Sequence, residues 1–123
     1  SADVIANLKY LCENVMQPLR EWYGKPINIT SGYRSPKLNK AIGGSSTSDH
    51  CLGCAIDFTL PKEDYKKVFK WIKENCTFYQ LIWEMGNDEA PQWIHVSFRV
   101  VINRKQVLKA YKNTFGQTKY QAI

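Results

Sequence analysis

The stretch that decides the fold of this chain is 29–60, which reads I-T-S-G-Y-R-S-P-K-L-N-K-A-I-G-G-S-S-T-S-D-H-C-L-G-C-A-I-D-F-T-L. It contains His50 and, seven residues later, Asp57. The chain has only two histidines, and the second, His95, lies in W-I-H-V-S-F at 93–98. Both histidines stand beside strand-like segments, so we ask whether the fold brings them together.

Alternation of side chains predicts one strand at 54–60 and another at 93–100. Asp57 and His95 each lie on the face opposite the apolar set of their strand. That apolar set consists of Ile56, Phe58 and Leu60 in the first strand and Ile94, Val96 and Phe98 in the second. We therefore expect Asp57 and His95 to line one cleft. The alternative interpretation of Asp57 is a solvent-facing strand residue or a cap for the following helix.

The residues His50, Asp57 and His95 would together supply two nitrogen donors and one oxygen donor. Three protein ligands, with a fourth position left to water, is the arrangement of a catalytic zinc site. Zinc brings the pKa of a bound water to about 7, and such a water attacks a peptide carbonyl if a carboxylate accepts its proton. These residues predict one Zn²⁺ per chain, although another divalent ion could use the same donors.

The remaining pattern predicts an α+β fold, with a small antiparallel sheet and helices packed on one side, in one domain spanning 1–123. Pro18 should kink or break the first helix, and 113–123 should form a loop-rich tail. The other predicted elements are helices at 3–23, 37–42 and 61–75, strands at 27–31, 78–84 and 106–111, and a polar turn at 45–49.

Composition is that of a globular protein, with 44% hydrophobic and 23% charged residues. No apolar run approaches the roughly 18 residues of a membrane span, and we expect neither a span nor a secretory leader within these residues. The net charge of +6 is spread along 62–73 and 104–119. It indicates a solvated surface or attraction to a polyanion, either nucleic acid or the anionic bacterial wall. Specific nucleic-acid binding is not expected, because no aromatic-basic motif is present.

Cys51 and Cys54 form a C-x-x-C that overlaps the histidine segment. This spacing suits a redox pair or half of a structural zinc site. A structural site would need two further ligands, and Cys12 and Cys76 stand isolated on or beside predicted helices. We therefore predict that Cys51 and Cys54 are buried thiols that bind no metal.

Three motifs together resemble those of the zinc D-Ala-D-Ala carboxypeptidase family, peptidase family M15. They are S-G-Y-R-S at 31–35, S-D-H-C-L-G-C-A-I-D at 48–57 and W-I-H-V-S at 93–97. Relatives of that family include phage endolysins, vancomycin-resistance dipeptidases and, more distantly, the hedgehog signalling domain. The resemblance covers about 27–98, and the order and spacing of the motifs make it specific. It implies a hedgehog-like zinc peptidase fold in which His50, Asp57 and His95 bind zinc.

The resemblance leaves a choice for the catalytic base. Several members carry an acidic residue three positions before the last histidine, but here that residue is Gln92, which cannot usefully accept a proton. In other branches a glutamate ends the preceding strand, and Glu84 occupies that place. The resemblance thus implies Glu84 as the base, with Glu89 as the alternative. Glu84 could otherwise be a solvated strand end.

Arg34 resembles the family arginine that faces the substrate carbonyl or carboxylate, where it would stabilise negative charge on the carbonyl oxygen. Its alternative role is to pair with an acid and brace its turn. Ser48 is expected to hydrogen-bond to the substrate or to orient a metal ligand. Trp93 could shape the substrate pocket or simply pack on the sheet.

The function that the resemblance implies is zinc-dependent hydrolysis of a peptide bond in bacterial peptidoglycan, next to a D-amino acid. Carboxypeptidase and endopeptidase action both remain open. The expected protein is a monomer that acts on a peptidoglycan peptide at the cell wall and is encoded by a bacterium, phage or prophage. The alternative is a zinc-containing binding module without turnover, which Gln92 and the long 85–92 loop favour.

Overall fold

The computed structural model describes residues 2–45 and 48–123, so that part of the predicted polar turn at 45–49 lies outside the described residues. A π-helical turn over Cys12–Met16 and 3₁₀ turns over Asp49–Leu52 and Lys62–Asp64 connect the main elements. The helices are α1 (Ala2–Leu11), α2 (Gln17–Tyr23), α3 (Pro36–Ala41) and α4 (Tyr65–Asn75). The strands are β1 (Asn28–Ser31), β2 (Ala55–Thr59), β3 (Gln80–Glu84), β4 (Trp93–Ser97), β5 (Gln106–Lys112) and β6 (Thr118–Ala122).

The six strands form one sheet in the order β1-β2-β4-β3-β5-β6, which confirms the α+β class. Neighbouring strands are antiparallel except β3 and β5, which are parallel, so the expectation of a wholly antiparallel sheet is wrong at this pair. The reason is the path of the chain. Strand β4 runs antiparallel to β3 and ends beside its start, and the connection at 98–105 then delivers β5 in the direction of β3.

Helices α1, α2 and α4 pack on one face of the sheet, as predicted, whereas α3 contributes no residue to the core on that face and leads into Gly43 and Gly44, which line the opposite side. The strands contribute the alternate residues Ile56, Phe58, Leu81, Trp83, Ile94 and Val96 to a buried core. The helical segments contribute Leu11, Val15, Leu19, Val68, Phe69 and Ile72 to the same core. Full burial of such side chains is worth about 1.5–3 kcal/mol each, so packing on this face fixes the direction in which the alternate side chains point. Asp57 and His95 consequently lie on the opposite face.

The first predicted helix does not stop at Pro18, because the backbone remains right-handed helical at Leu11, Met16 and Gln17, but its α-helical hydrogen bonding is interrupted just before Pro18. Pro18 has no N–H group and its ring would clash with the carbonyl four residues earlier, and the π-helical turn over Cys12–Met16 relieves that clash. Helix α2 ends at Gly24, which has a φ of 72° and donates its N–H to the Arg20 carbonyl. No helix within the described ranges has the length and hydropathy needed to cross a bilayer.

The prediction of a loop-rich tail at 113–123 is wrong, because this segment contains β6. The Asn113 side-chain oxygen accepts hydrogen bonds from the N–H groups of Phe115 and Gln117, and Gly116 adopts a φ of 74°. This turn reverses the chain, and β6 pairs with β5 over five residues. The sheet therefore extends two strands beyond β3, and Tyr120 lies opposite Ala110.

Candidate metal centre

His50 is held by a short turn rather than by a strand. The Ser48 hydroxyl accepts the His50 N–H at 3.2 Å, and Gly53 ends the turn with a φ of 73°. A Cβ at Gly53 would lie 2.7 Å from the Val4 carbonyl oxygen, so the turn packs closely against α1. The buried His50 ring donates its Nδ1–H to the Gly32 carbonyl at 2.8 Å. This hydrogen bond fixes the tautomer and leaves the Nε2 lone pair facing the centre of the site.

The structure brings His50, Asp57 and His95 together. Asp57 and His95 are directly opposite each other on β2 and β4. Asp57 Oδ1 lies 3.1 Å from His50 Nε2 and 3.0 Å from His95 Nδ1, and one ligand atom from each residue lies within 4.8 Å of the others. Ligand atoms around a tetrahedral zinc lie about 3.3 Å apart, since zinc–nitrogen and zinc–oxygen bonds are roughly 2.0–2.1 Å long. These donors therefore suit zinc.

The buried His50 Nε2 atom supports the same interpretation. It has no hydrogen-bond partner within the described residues, because the nearby Asp57 oxygen is also an acceptor. Burial raises the pKa of Asp57 and His95 lowers it, whereas the His50 Nε2 lone pair offers Asp57 no proton and does not lower it. Asp57 is a carboxylate at neutral pH, since the ordinary pKa of aspartate is about 4. Two acceptors that face each other in a buried site are stabilised by a cation between them.

Glu84 lies at the end of β3 on the same sheet face as the metal-ligand cluster, meaning His50, Asp57 and His95. Its side chain is 7% exposed, and its Cα partner across the sheet is Trp93. Burial raises the pKa of Glu84, and the charge of Asp57 raises it further, whereas the two histidines act to lower it. A carboxylate with a raised pKa binds a proton more readily, which suits a general base.

The alternative base, Glu89, points elsewhere. Its exposed carboxylate lies 3.1 Å from Lys66 Nζ on α4. Loop 85–92 closes tightly here, since a Cβ at Gly86 would lie 2.1 Å from the Ala90 carbonyl oxygen. Gln92 lines the cleft, and its backbone N–H donates to the Glu84 carbonyl at 2.8 Å. Of the two candidate glutamates, only Glu84 therefore lies beside the metal-ligand cluster.

A cleft of about 1300 Å³ contains the metal-ligand cluster and the other predicted site residues, Arg34, Ser48, Glu84 and Trp93. The Arg34 backbone N–H donates to the His50 carbonyl at 3.0 Å. Its buried Nε atom has no hydrogen-bond partner among the described residues. A Cβ at Gly44 would lie 3.1 Å from an Arg34 guanidinium nitrogen, so Gly44 leaves this side chain room. Half-buried Trp93 stands next to Glu84 across the sheet.

Two features of the site were not anticipated from the sequence. Buried Asp49 accepts two hydrogen bonds from the Arg99 guanidinium, at 2.7 and 3.3 Å, which ties the turn of His50 to the residues after β4. Tyr120 lines the cleft from β6. The sequence offered one signal for each feature. Asp49 stands immediately before His50, and Thr118, Tyr120 and Ala122 occupy alternate positions.

The cysteines lie outside the metal-ligand cluster, and all four are free thiols. Cys54 is buried, as predicted, whereas Cys51 is only half-buried. Burial raises the pKa of the Cys54 thiol, and the nearby carboxylate of Asp49 adds to this effect. A thiol with a raised pKa is a poor metal ligand, since the thiolate is the binding form.

Comparison with known proteins assigns the family. No curated protein matches this sequence. The profile of the family described as Peptidase M15 matches residues 3–97, which include the whole metal-ligand cluster, Arg34 and Glu84, while β5 and β6 follow the matched region. The chain therefore belongs to the peptidase M15 family, whose members are in general zinc-dependent metallopeptidases.

Proposed function

We propose that this protein is a zinc peptidase that hydrolyses a peptide bond in bacterial peptidoglycan, next to a D-amino acid. The observation that carries the proposal is the buried Glu84 carboxyl on the same sheet face as His50, Asp57 and His95. Membership of the M15 family supports peptide hydrolysis. The net charge of +6 favours an anionic substrate such as the bacterial wall, where we propose that the protein acts as a monomer encoded by a bacterium, phage or prophage.

His50, Asp57 and His95 would hold the zinc ion, and the hydrogen bond from His50 Nδ1 to Gly32 would keep the first imidazole in its ligating orientation. Zinc bound by three protein ligands supplies a Lewis acid that polarises a carbonyl and lowers the pKa of water to about 7. Glu84 accepts a proton from the attacking water and then delivers it to the amine that leaves. Its burial strengthens this role, because burial raises the pKa of its carboxyl group.

Arg34 would contribute a positive charge to the reaction. Arg34 lines the cleft, and its backbone N–H donates to the His50 carbonyl, so its backbone is tied to the turn that carries one candidate ligand. Negative charge develops on the carbonyl oxygen during attack, and a preorganised cation stabilises that charge. Ser48 supports this site through the turn, since its hydroxyl accepts the His50 N–H. Trp93 would form a wall of the substrate pocket.

A second candidate function is a zinc-containing module that binds a wall peptide or a protein without cleaving it. Gln92 favours it, because a residue that cannot accept a proton lines the cleft three positions before His95. In this case Arg34 and Trp93 would bind the ligand, and Glu84 would transfer no proton.

Mass spectrometry of purified muropeptides incubated with zinc-loaded protein separates these functions. The peptidase should release a terminal D-alanine or cut within the stem peptide, and the product mass identifies the bond. Glu84→Gln should lower kcat by about 10²- to 10⁴-fold while the protein still binds one zinc. Glu89→Gln is the matched control and should retain activity, because Glu89 pairs with Lys66 away from the cleft.

Each remaining outcome has a distinct meaning. Stoichiometric zinc without cleavage would favour the binding module. Cleavage that survives Glu84→Gln would show that Glu84 is not the base. If only Glu89→Gln lost activity, Glu89 on loop 85–92 would be the catalytic base.

A further inference from the structure

The β5–β6 hairpin extends the floor of the cleft beyond Glu84. Glu84 lies opposite Ala110 on β5, and Ala110 lies opposite Tyr120 on β6. These three residues therefore share one row and one face of the sheet. Two strand spacings put the backbone of Tyr120 roughly 9–10 Å from that of Glu84. The hairpin follows the region that matches the M15 family, so family membership assigns it no role.

The surface between Glu84 and Tyr120 is low and apolar. Ile82, Leu108 and Ala110 form a buried cluster on this face, and Met85 packs against it. Ala110 has only a methyl side chain and is fully buried, so the row between Glu84 and Tyr120 carries no large side chain of its own. Ile82, Leu108 and Ala110 all line the cleft, which leaves room for an extended peptide segment beside the metal-ligand cluster.

Tyr120 stands at the far end of this floor with its side chain 56% exposed. Burial of its remaining surface, followed by the charges of Glu84 and Asp57, raises the pKa of the phenol. The hydroxyl is protonated at neutral pH because its pKa is raised, and no hydrogen bond of this hydroxyl is found within residues 2–45 and 48–123.

A cation lies next to Tyr120 on the same face. Lys112 on β5 is opposite Thr118 on β6 and donates to its hydroxyl at 2.6 Å. Both residues line the cleft. The hairpin therefore combines an apolar floor, a hydroxyl donor and a positive charge, a combination that suits an oxygen-bearing group of a peptide.

We propose that the β5–β6 hairpin forms a substrate-binding subsite in which the Tyr120 hydroxyl donates a hydrogen bond to a carbonyl or carboxylate oxygen of the peptide. This inference rests on the proposed function, since the peptide is the substrate of the same cleft. Arg34 contacts the substrate on the β1 side of the metal-ligand cluster, and Tyr120 contacts it on the β6 side. Tyr120 binds substrate at a distance from the scissile bond, so its contribution is to affinity.

The test is calorimetric titration of zinc-loaded protein with a purified muropeptide in the Glu84→Gln background, where turnover is suppressed. Adding Tyr120→Phe should weaken binding about 3- to 10-fold, because the substitution removes one hydrogen bond and keeps the ring. Tyr10→Phe is the matched control, since Tyr10 is an exposed tyrosine on α1 outside the cleft. It should leave the Kd unchanged. In protein with Glu84, Tyr120→Phe should raise KM by the same factor and change kcat less than twofold.

The outcomes separate this inference from the proposed function. A Kd that is unchanged by Tyr120→Phe, or no muropeptide binding at all, would overturn the subsite. A fall in kcat without a rise in KM would overturn it too, because the hydroxyl would then act only in the transition state. Weaker binding in Tyr120→Phe, together with no cleavage by protein that has Glu84, would retain the subsite and refute the peptidase.

Discussion

Asp57 and His95 are Cα partners on antiparallel strands, and Asp57 Oδ1 lies 3.0 Å from His95 Nδ1. The pairing of β2 with β4 therefore positions two of the three candidate ligands, and no loop contributes to their placement. A site built on strands is more rigid than one built on loops. His50, which comes from a turn, completes the cluster through its hydrogen bond to Gly32.

Asp57→Asn tests the metal-ligand cluster directly. The substitution keeps the shape of the side chain but replaces a charged donor with a neutral amide. Loss of residues that merely support a zinc ligand costs about 10- to 100-fold in affinity, and we expect a larger loss here because the ligand itself changes. Zinc affinity is measured by competition with a chromogenic chelator.

Asp88→Asn is the control for this measurement, since its side chain is 91% exposed and lies outside the cluster. It should bind one zinc with the affinity of the unmodified protein. Equal affinity in Asp57→Asn would show that the ion binds elsewhere.

The pair of Arg99 and Asp49 is expected to support both stability and zinc binding. Arg99→Ala leaves the buried Asp49 carboxylate without its two guanidinium hydrogen bonds, which should lower the free energy of unfolding by about 1–3 kcal/mol. Asp49 directly precedes His50, so zinc affinity should also fall, by about 10- to 100-fold. Urea unfolding and chelator competition measure the two effects.

Arg104→Ala provides the comparison for Arg99. Arg99 lies 3.9 Å from the centre of the Tyr79 ring, and Arg104 approaches the same ring at 5.7 Å but has no ion pair within the described residues. This variant should change neither stability nor zinc affinity appreciably. If Arg99→Ala destabilised the protein but bound zinc normally, the pair would brace the fold without positioning His50.

The buried carboxylate of Asp64 should make stability sensitive to acid. A hydrogen bond from the Tyr23 hydroxyl, aided by Lys67 and Lys25, lowers the pKa of Asp64 in the folded state. The stabilisation is therefore present above the unfolded pKa, at about pH 4, and is lost as the pH falls through the folded pKa. Tyr23→Phe should lower the free energy of unfolding most at pH 7, and this deficit should shrink below pH 4.

In alkali, the hydrogen bond between Tyr23 and Asp64 makes the free energy of unfolding fall as the pH rises. Burial and the hydrogen bond to Asp64 raise the pKa of Tyr23 to about 12. Its stabilisation is present below the unfolded pKa of about 10 and lost as the pH rises through 12. Urea unfolding measured across the pH range checks the loss of stability in acid and in alkali. Tyr10→Phe is the control, since Tyr10 is exposed. If Tyr23→Phe lowered the free energy of unfolding by the same amount at every pH, stability would not depend on the pKa values of Asp64 and Tyr23 in the expected way.

Much of the fold and site followed from local pattern. Alternation placed Asp57 and His95 on the face opposite the apolar residues, and the structure has them there. Pro18 and Gly24 indicated where the first helical region breaks and ends, because each constrains its own backbone. Strand β6 was not predicted, because the many polar residues after Asn113 make the alternation of Thr118, Tyr120 and Ala122 hard to recognise.

The choice between Glu84 and Glu89 needed the tertiary structure. The sequence offers both carboxylates near the same loop, but the loop closure directs Glu89 to Lys66 and leaves Glu84 buried beside the metal-ligand cluster. The bond between Asp49 and Arg99 joins residues 50 positions apart, so no local pattern could indicate it.

The sequence by itself determined the candidate donors, the faces of their strands and the α+β class, because periodicity and backbone constraints act over a few residues. Only the tertiary structure decided that β5 runs parallel to β3, that β6 extends the sheet and that Tyr120 faces Glu84 across Ala110. These relationships depend on which remote segments pair. Pairing is settled by burial of the shared core and by the path of the connections, which no single segment encodes.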